Sequence, residues 1–264
     1  MKEADMGDIN DSKTVKSQYS TSANLSTRIS IHDKYSTNKT GFGNWIYSNY
    51  EITPGMKILE LGCGTGSMWK GKDDLISSCS KIVLSDISEA MVDSAKVTLG
   101  ERDNIEYKVI DIREIPYEDD TFDAVIGNMM LYHVPDLNKG LTEVRRVLKK
   151  GGRFYSATYG EHGIMEYLSG LLSEYGVEDN VSKVFTLQSG GAILADTFSK
   201  VERLDYIDSL AVTNIDDMVD YIYSLSGMTT LSSIPRDKIR EILLANTVDG
   251  VLNVPKEYGM FISE

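Results

Sequence analysis

Between positions 60 and 66 the chain reads Glu60-Leu61-Gly62-Cys63-Gly64-Thr65-Gly66, and glycines at alternate positions leave main-chain N–H groups bare for a ligand to approach. The spacing narrows the ligand. A dinucleotide fingerprint would put its third glycine at position 67, which is Ser67, and a P-loop would continue into Gly-Lys-Ser/Thr, which does not occur here. Two carboxylates follow in comparable settings: Asp86 in Leu84-Ser85-Asp86-Ile87, 20 residues beyond Gly66, and Asp111 in Val109-Ile110-Asp111-Ile112. Each can accept hydrogen bonds from hydroxyl or amino groups. For proton transfer the candidates are few, because the chain has only three histidines. His133, in Asn128-Met129-Met130-Leu131-Tyr132-His133-Val134-Pro135, is the leading general base. Near the N-terminus, Arg28, His32 and Tyr35 fall at i, i+4 and i+7; a helix would gather them on one polar face as a lid, whereas an extended strand would bury Ile29 and Ile31 instead.

The elements that must position these residues alternate. Strands are predicted at 57–61, 81–85, 105–109, 122–126 and 152–157, with helices between most of them, which is the pattern of a parallel sheet covered on both faces. The clearest helices span 89–99, with Ser88 as N-cap, and 137–148, ended by Gly151-Gly152. Phe42, Trp45, Ile46 and Tyr50 set a helix over about 40–50, closed by Pro54-Gly55. In the last third, helices near 162–175, 190–198, 215–226 and 235–246 interrupt the strand rhythm, leaving strands at 201–207 and at 258–262, the latter expected as the C-terminal edge of the sheet. The apolar stripes of these late helices, Met165 to Leu172 and Met218 to Leu225, read first as core and second as the wall of a substrate pocket. Residues 1 to about 25 are polar and aperiodic and are expected to be mobile, at least over the first dozen.

Composition excludes several classes. With 40 acidic and 27 basic residues the net charge is -13, which repels nucleic acid and anionic membrane surfaces, so neither is expected as a partner. Two cysteines, Cys63 and Cys79, cannot build a disulfide framework and lie in no zinc-like cluster; no metal site is expected, and a reducing cytoplasm is the default location. No apolar run approaches the length of a membrane span and the start of the chain is not signal-like. Oligomeric state is not legible.

The segment Glu60–Gly66 resembles motif I of class I S-adenosylmethionine-dependent methyltransferases, and the resemblance continues in family order through Asp86, Asp111, Phe122-Asp123-Ala124-Val125-Ile126-Gly127-Asn128 and Leu148-Lys149-Lys150-Gly151-Gly152-Arg153-Phe154. It covers about residues 55–160 and is nearest to the type 11, ubiquinone-biosynthesis-like branch. The implied fold is α/β: a Rossmann-like, doubly wound, mostly parallel seven-stranded sheet with an antiparallel C-terminal strand and helical cap insertions. Implied organisation is an N-terminal extension with lid helices over 1–50 and a methyltransferase domain over 51–264, with insertions near 160–198 and 211–250. For S-adenosylmethionine, and its product S-adenosylhomocysteine, the resemblance implies contacts from Glu60, Gly62, Cys63, Gly64, Gly66, Asp86, Ile87, Asp111, Ile112, Asn128 and Arg28, with Asp86 on the ribose and Asp111 and Ile112 on the adenine. His133, Tyr35 and His32 are the candidate catalytic residues. The implied reaction is in-line transfer of a methyl group to an O, N or C atom of a small-molecule acceptor; action on protein or RNA, or cofactor binding without catalysis by a partner subunit, are the alternatives.

Overall fold

A computed structural model describes residues 22–176, 183–225 and 230–264. Most of the polar N-terminal stretch expected to be mobile lies outside the described residues. Five strands, β1 (Lys57–Leu61), β2 (Lys81–Asp86), β3 (Ile105–Val109), β4 (Phe122–Ile126) and β5 (Leu148–Tyr159), run parallel, and β6 (Val201–Val212) and β7 (Leu252–Ser263) complete a seven-stranded sheet in the order β3-β2-β1-β4-β5-β7-β6. β7 alone is antiparallel to its neighbours. Ile58, Leu59, Ile82, Val83, Val125 and Ile126 are fully buried, as strands covered on both faces require. From β1 the chain turns one way to β2 and β3, and β4 then starts on the other side of β1. This reversal opens a crevice at the carboxyl ends of β1 and β4, where such sheets hold ligands.

Several details differ from the sequence reading. β7 is not the edge: it lies between β5 and β6, and β6 is the outer strand. Charged and exposed residues along Val201–Val212, with Ile207 standing in solvent, are the edge signal that the shorter reading of this strand passed over. β7 also starts six residues earlier than expected, and Pro255 is tolerated within it because that half of β7 pairs with β6 only, while β5 reaches only residues 258–263. Ser88 makes no side-chain cap; its backbone N–H instead donates to Asp86 Oδ1 at 2.9 Å. Gly151-Gly152 does not end a helix either, since the helix stops at Val147 and the glycines sit inside β5, opposite an irregularity in the β4 register.

Helices α1 (Ser22–Tyr35), α2 (Phe42–Ser48), α3 (Asp73–Ser78), α4 (Glu89–Leu99) and α5 (Leu137–Val147) precede the longer insertions α6 (Ile164–Leu171), α7 (Gly190–Ala195), α8 (Ile215–Ser224) and α9 (Arg236–Ala245). α5 is capped by Asp136, whose carboxylate accepts from the Lys139 amide at 3.1 Å. Two apolar clusters cover the sheet, one built on Leu59, Val125 and Phe154 and the other on Ile58, Ile82 and Tyr155. A third gathers Ile31 of α1, Leu168 of α6, Met218 and Ile222 of α8 and Leu243 of α9 over the β6–β7 hairpin. It forms a cap at one end of the crevice. Among the described residues no helix is long and apolar enough to cross a membrane.

Candidate functional site

The crevice opens into a cavity of about 500 Å³, within the range of small-molecule sites. One half is built by the ends of β1, β2 and the loop after β3. Gly62 and Gly64 line it, and both have positive φ, 71° and 55°. A side chain at Gly64 would meet no protein atom within 4 Å, so the position faces open space that a ligand can use; at Gly66, by contrast, a Cβ would press on Ala95 and Leu99 of α4. The three loop glycines thus separate into Gly64, open to a ligand, Gly62, where a Cβ would run into Met130, and Gly66, which packs on a helix.

Asp86 faces the same half and is fixed by two backbone donors, Gly64 N at 3.1 Å and Ser88 N at 2.9 Å. Burial raises its pKa, while those N–H groups oppose the rise. Each oxygen keeps lone-pair capacity toward the cavity. Asp111 and Ile112 line the next stretch of wall with Ile87, but the Asp111 carboxylate is gripped by Arg113, through Nε at 3.0 and 3.2 Å and Nη2 at 2.6 Å. The Arg113 hydrogen bond holds its carboxyl below the usual range.

Glu60 and Cys63 do not line the cavity. Glu60 is buried behind the loop and accepts from Trp69 Nε1 at 2.6 Å; burial pushes it up to about 7, against the Trp69 hydrogen bond and with the nearby Asp86 charge adding to the rise. It braces the loop from below. Cys63 packs in the core, and its N–H donates to Ser85 O at 2.8 Å. Asn128 does reach the cavity, yet its amide is spent internally: Nδ2 donates to Tyr50 Oη at 2.5 Å and Oδ1 accepts from Ala157 N at 3.1 Å. The next residue, Met129, carries φ of 52°, an uncommon conformation for a non-glycine residue, and also lines the cavity.

The other half of the cavity is apolar and aromatic. His133 ends a short 3₁₀ turn, Leu131–His133, after β4, and burial first, then the charge of Arg28, lowers its pKa to about 4. α1 forms the opposite wall: of the two conformations open to 28–36 the helical one is realised, with Arg28 and His32 lining the cavity. Tyr35 does not join them; its hydroxyl donates to Asp217 Oδ2 at 2.5 Å, on the flank of α1 that faces α8. Tyr132 and Tyr159 pack at 4.6 Å between centroids, and Tyr221, Tyr258 and Phe42 complete the aromatic lining, with Glu161 and Glu257 at its polar end. Sequence reasoning missed Phe42, Tyr159, Glu161, Glu257 and Tyr258 as lining residues, because contacts between segments far apart in the chain bring them together and no local spacing marks it. Met165, Tyr221 and Leu225 had been read mainly as core and do reach the cavity, whereas Leu168, Met218 and Ile222 are core.

Residues 59–156, from β1 to within β5, match the family described as "Methyltransferase domain". The match takes in less than half of the chain, and the likeness to a methyltransferase domain belongs to this segment. The chain is 38% identical over 99 residues to demethylmenaquinone methyltransferase of Clavibacter sepedonicus, a stretch covering 38% of this chain and 39% of that protein, so the chain matches about two-fifths of that relative's length. To the ubiquinone/menaquinone biosynthesis C-methyltransferase UbiE of Shewanella oneidensis it is 26% identical over 184 residues, covering 67% of this chain and 73% of the relative. Among solved structures, the YcgJ protein of Bacillus subtilis superposes with a TM-score of 0.55 at 18% identity over 83% of this chain and 95% of the other, a likeness of fold. The matched segment holds β2 to β4, the glycine loop and most of β1 and β5; α1, α2 and the elements beyond β5 lie outside it.

Proposed function

We propose that the protein transfers a methyl group from S-adenosylmethionine to an apolar small molecule held in the aromatic half of the cavity. The observation that carries this reading is the continuity of the two halves: Gly64 and Asp86, at the cofactor position of the methyltransferase domain, share one cavity with His133, His32 and a ring of tyrosines. The names of the relatives point to a quinone-like ring methylated at carbon as the acceptor.

The bare backbone at Gly62 and Gly64 fits a nucleoside thioether lying against the loop, and Asp86 is placed to accept from the two ribose hydroxyls. Ile87, Asp111 and Ile112 would border the adenine; because Arg113 holds the Asp111 side chain, an adenine contact there falls to the main chain or requires that ion pair to open. The backbone around Asn128 and the side chain of Arg28 would border the amino-acid end. S-adenosylmethionine, when bound, supplies an electrophilic methyl group. The chain contributes alignment of the acceptor, exclusion of water by the aromatic walls, and a neutral imidazole at His133 that can take the acceptor's proton. We further propose that 1–50 act as an extension and lid to the domain formed by 51–264.

The test is turnover with methyl-labelled S-adenosylmethionine against quinone precursors, other apolar ring compounds, a protein extract and RNA. Label appearing in a low-mass apolar product supports the proposal. Label in protein or RNA, or cofactor binding with no transfer to any acceptor, replaces it with one of the other readings.

A further inference from the structure

The cap contains a buried ion pair that the reaction described above does not use. Asp208 of β6 and Lys256 of β7 are direct cross-strand partners in the half of the hairpin that β5 does not reach. Their side chains are 0% and 2% exposed and form a salt bridge. Burying two opposite charges is a weak source of stability, since desolvation offsets most of the attraction, so a hairpin could be held as well by two apolar residues. The charges do something an apolar pair cannot, which is to offer strong hydrogen-bonding groups to a third segment.

That segment is the end of α1. Ser36 Oγ donates to Asp208 Oδ2 at 2.7 Å and the Asn38 amide to Asp208 Oδ1 at 2.9 Å, while Lys256 Nζ donates to Ser36 Oγ at 2.9 Å. Backbone pairing follows the same path, with Thr37 N donating to Ser209 O at 2.9 Å and Ser36 bridging to Leu210. One helical turn earlier lies His32, whose carbonyl accepts from Ser36 N at 3.0 Å. Its ring stands edge-on to Tyr258, at 5.9 Å, and to Tyr221, at 6.3 Å, and lines the cavity. Nδ1 of that ring is buried and finds no hydrogen-bond partner among the described residues. A buried polar atom left in this state calls for an explanation, and a bound molecule's hydroxyl would provide one.

We propose that the Asp208–Lys256 pair is a latch: it fastens the C-terminal turn of α1 to the β6–β7 hairpin and thereby positions His32 against the acceptor half of the cavity. Both members are positioning residues, acting through Ser36 and Asn38. The inference deepens the function proposed above, but the geometry of the latch stands without it. Lys256 also lies 5.1 Å from the centroid of the Tyr258 ring, on which His32 packs. The charged and titratable groups around His32 are therefore Lys256 and Tyr258 from β7, Asp208 from β6, Tyr221 from α8 and Arg28 from its own helix. Burial chiefly, and Lys256 second, hold His32 down to about 4, with Asp208 opposing.

Only three histidines are present, so labelled-histidine NMR can follow each ring, with His32→Gln giving the assignment. In the unaltered protein His32 is expected to stay neutral down to about pH 4. For Asp208→Asn the latch and a purely electrostatic role predict opposite signs. Loss of positioning lets the ring meet water, so its midpoint climbs by at least one unit toward the ordinary value near 6.5, and amide exchange across residues 29–36 speeds up tenfold or more while amides of β1 and β4 are unchanged. Loss of a nearby negative charge alone would leave the midpoint in place or lower it. Should the single variant not fold, Asp208→Asn with Lys256→Gln removes both charges together; because loss of Lys256 by itself raises the His32 midpoint, amide exchange across residues 29–36 is then the deciding readout, with the same tenfold expectation. Asp217→Asn, which cuts the outer tether of α1 at Tyr35 and Lys34, is expected to leave His32 where it is. A folded variant of the pair in which α1 exchanges at the original rate and the His32 midpoint does not rise overturns the latch, as does an equal release of His32 by Asp217→Asn. Neither readout needs S-adenosylmethionine or an acceptor, so failure of the latch and failure of the proposed reaction are separate results.

Discussion

At the residue scale, the carboxylate of Asp86 is anchored to the backbone on one side and turned to the cavity on the other, which makes its loss a clean test of the cofactor half. Asp86→Ala should weaken S-adenosylmethionine binding by roughly 100-fold, the worth of two hydrogen bonds to a charged acceptor, when titrated calorimetrically on folded protein. Gly64→Val should do at least as much for a different reason: no neighbouring atom blocks the new side chain, so the harm comes from filling the ligand's space and from forcing a β-branched residue to positive φ. Unchanged affinity in both would remove the loop from the site. His133→Ala should keep cofactor affinity and slow transfer by about 100-fold, the usual scale of general-base catalysis; an unaltered rate would exclude His133 from proton transfer. The sequence made Asp86, Gly64 and His133 legible as cavity-lining residues because each sits at, or in the loop after, the carboxyl end of a short, strongly patterned strand. It could not show that Glu60 and Cys63 turn inward, since a strand-end carboxylate and a loop thiol look the same whether they face ligand or core.

At the scale of elements, the parallel half of the sheet was legible in full and the antiparallel half in part: both late strands and the antiparallel sense were expected, but not their length or the place of β7 between β5 and β6, and the difference is physical. β1 to β4 are short apolar runs bounded by turn residues, so their periodicity and their ends mark them locally. β6 and β7 pair over twelve residues each, with one side of their ladder open, so polar residues and a proline enter without cost to the core. Their partners are set by contacts far apart in the chain. The same holds for α1, whose helical and extended forms were both consistent with its residues; packing in the third apolar cluster buries Ile31 at 2% exposure and leaves Ile29, which an extended strand would have buried with it, at 45%. Its dependence on the hairpin can be measured through Asp208, whose side chain, despite burial, is held down to about 2 by hydrogen bonds from Lys256, Asn38 and Ser36. A carboxyl depressed in the folded state lends stability that is complete above the unfolded pKa near 4 and is lost as pH falls toward 2. Asp208→Ala should therefore cost on the order of 3 kcal/mol at pH 7, because it leaves Lys256 as an uncompensated buried charge, and the difference from the unaltered protein should shrink below pH 4 in denaturant titrations.

At the scale of the whole molecule, buried titrating groups pull stability in two directions between pH 4 and 7. His32 and His133 are kept neutral to about 4, so on acidification the unfolded chain takes up protons first and the fold loses on the order of 2–3 kcal/mol for each ring between pH 6.5 and 4. Glu60, raised to about 7, acts the other way: the folded protein holds its proton where the unfolded chain has lost it, so its contribution is present below about 4.5 and disappears as pH rises through 7. The net expectation is a stability that falls between pH 7 and 4, where the two rings outweigh Glu60, and that goes on falling below 4 as Asp208 loses its charge. Glu60→Gln, which keeps an acceptor for Trp69, should raise the melting temperature at pH 8 and steepen the loss on acidification; a melting temperature at pH 8 that is unchanged or lower would show that Glu60 is not strained by its burial. The position of β7 inside the sheet has a consequence for how the chain is made. A ribosome delivers β6 long before the strand that ties it to β5, so until residues 252–263 emerge, a ribbon with Ile207 on its surface has nothing to pair with. During that interval the nascent protein offers an adhesive border to other chains, and a chaperone binding there would be shed only once β7 has emerged to cover it.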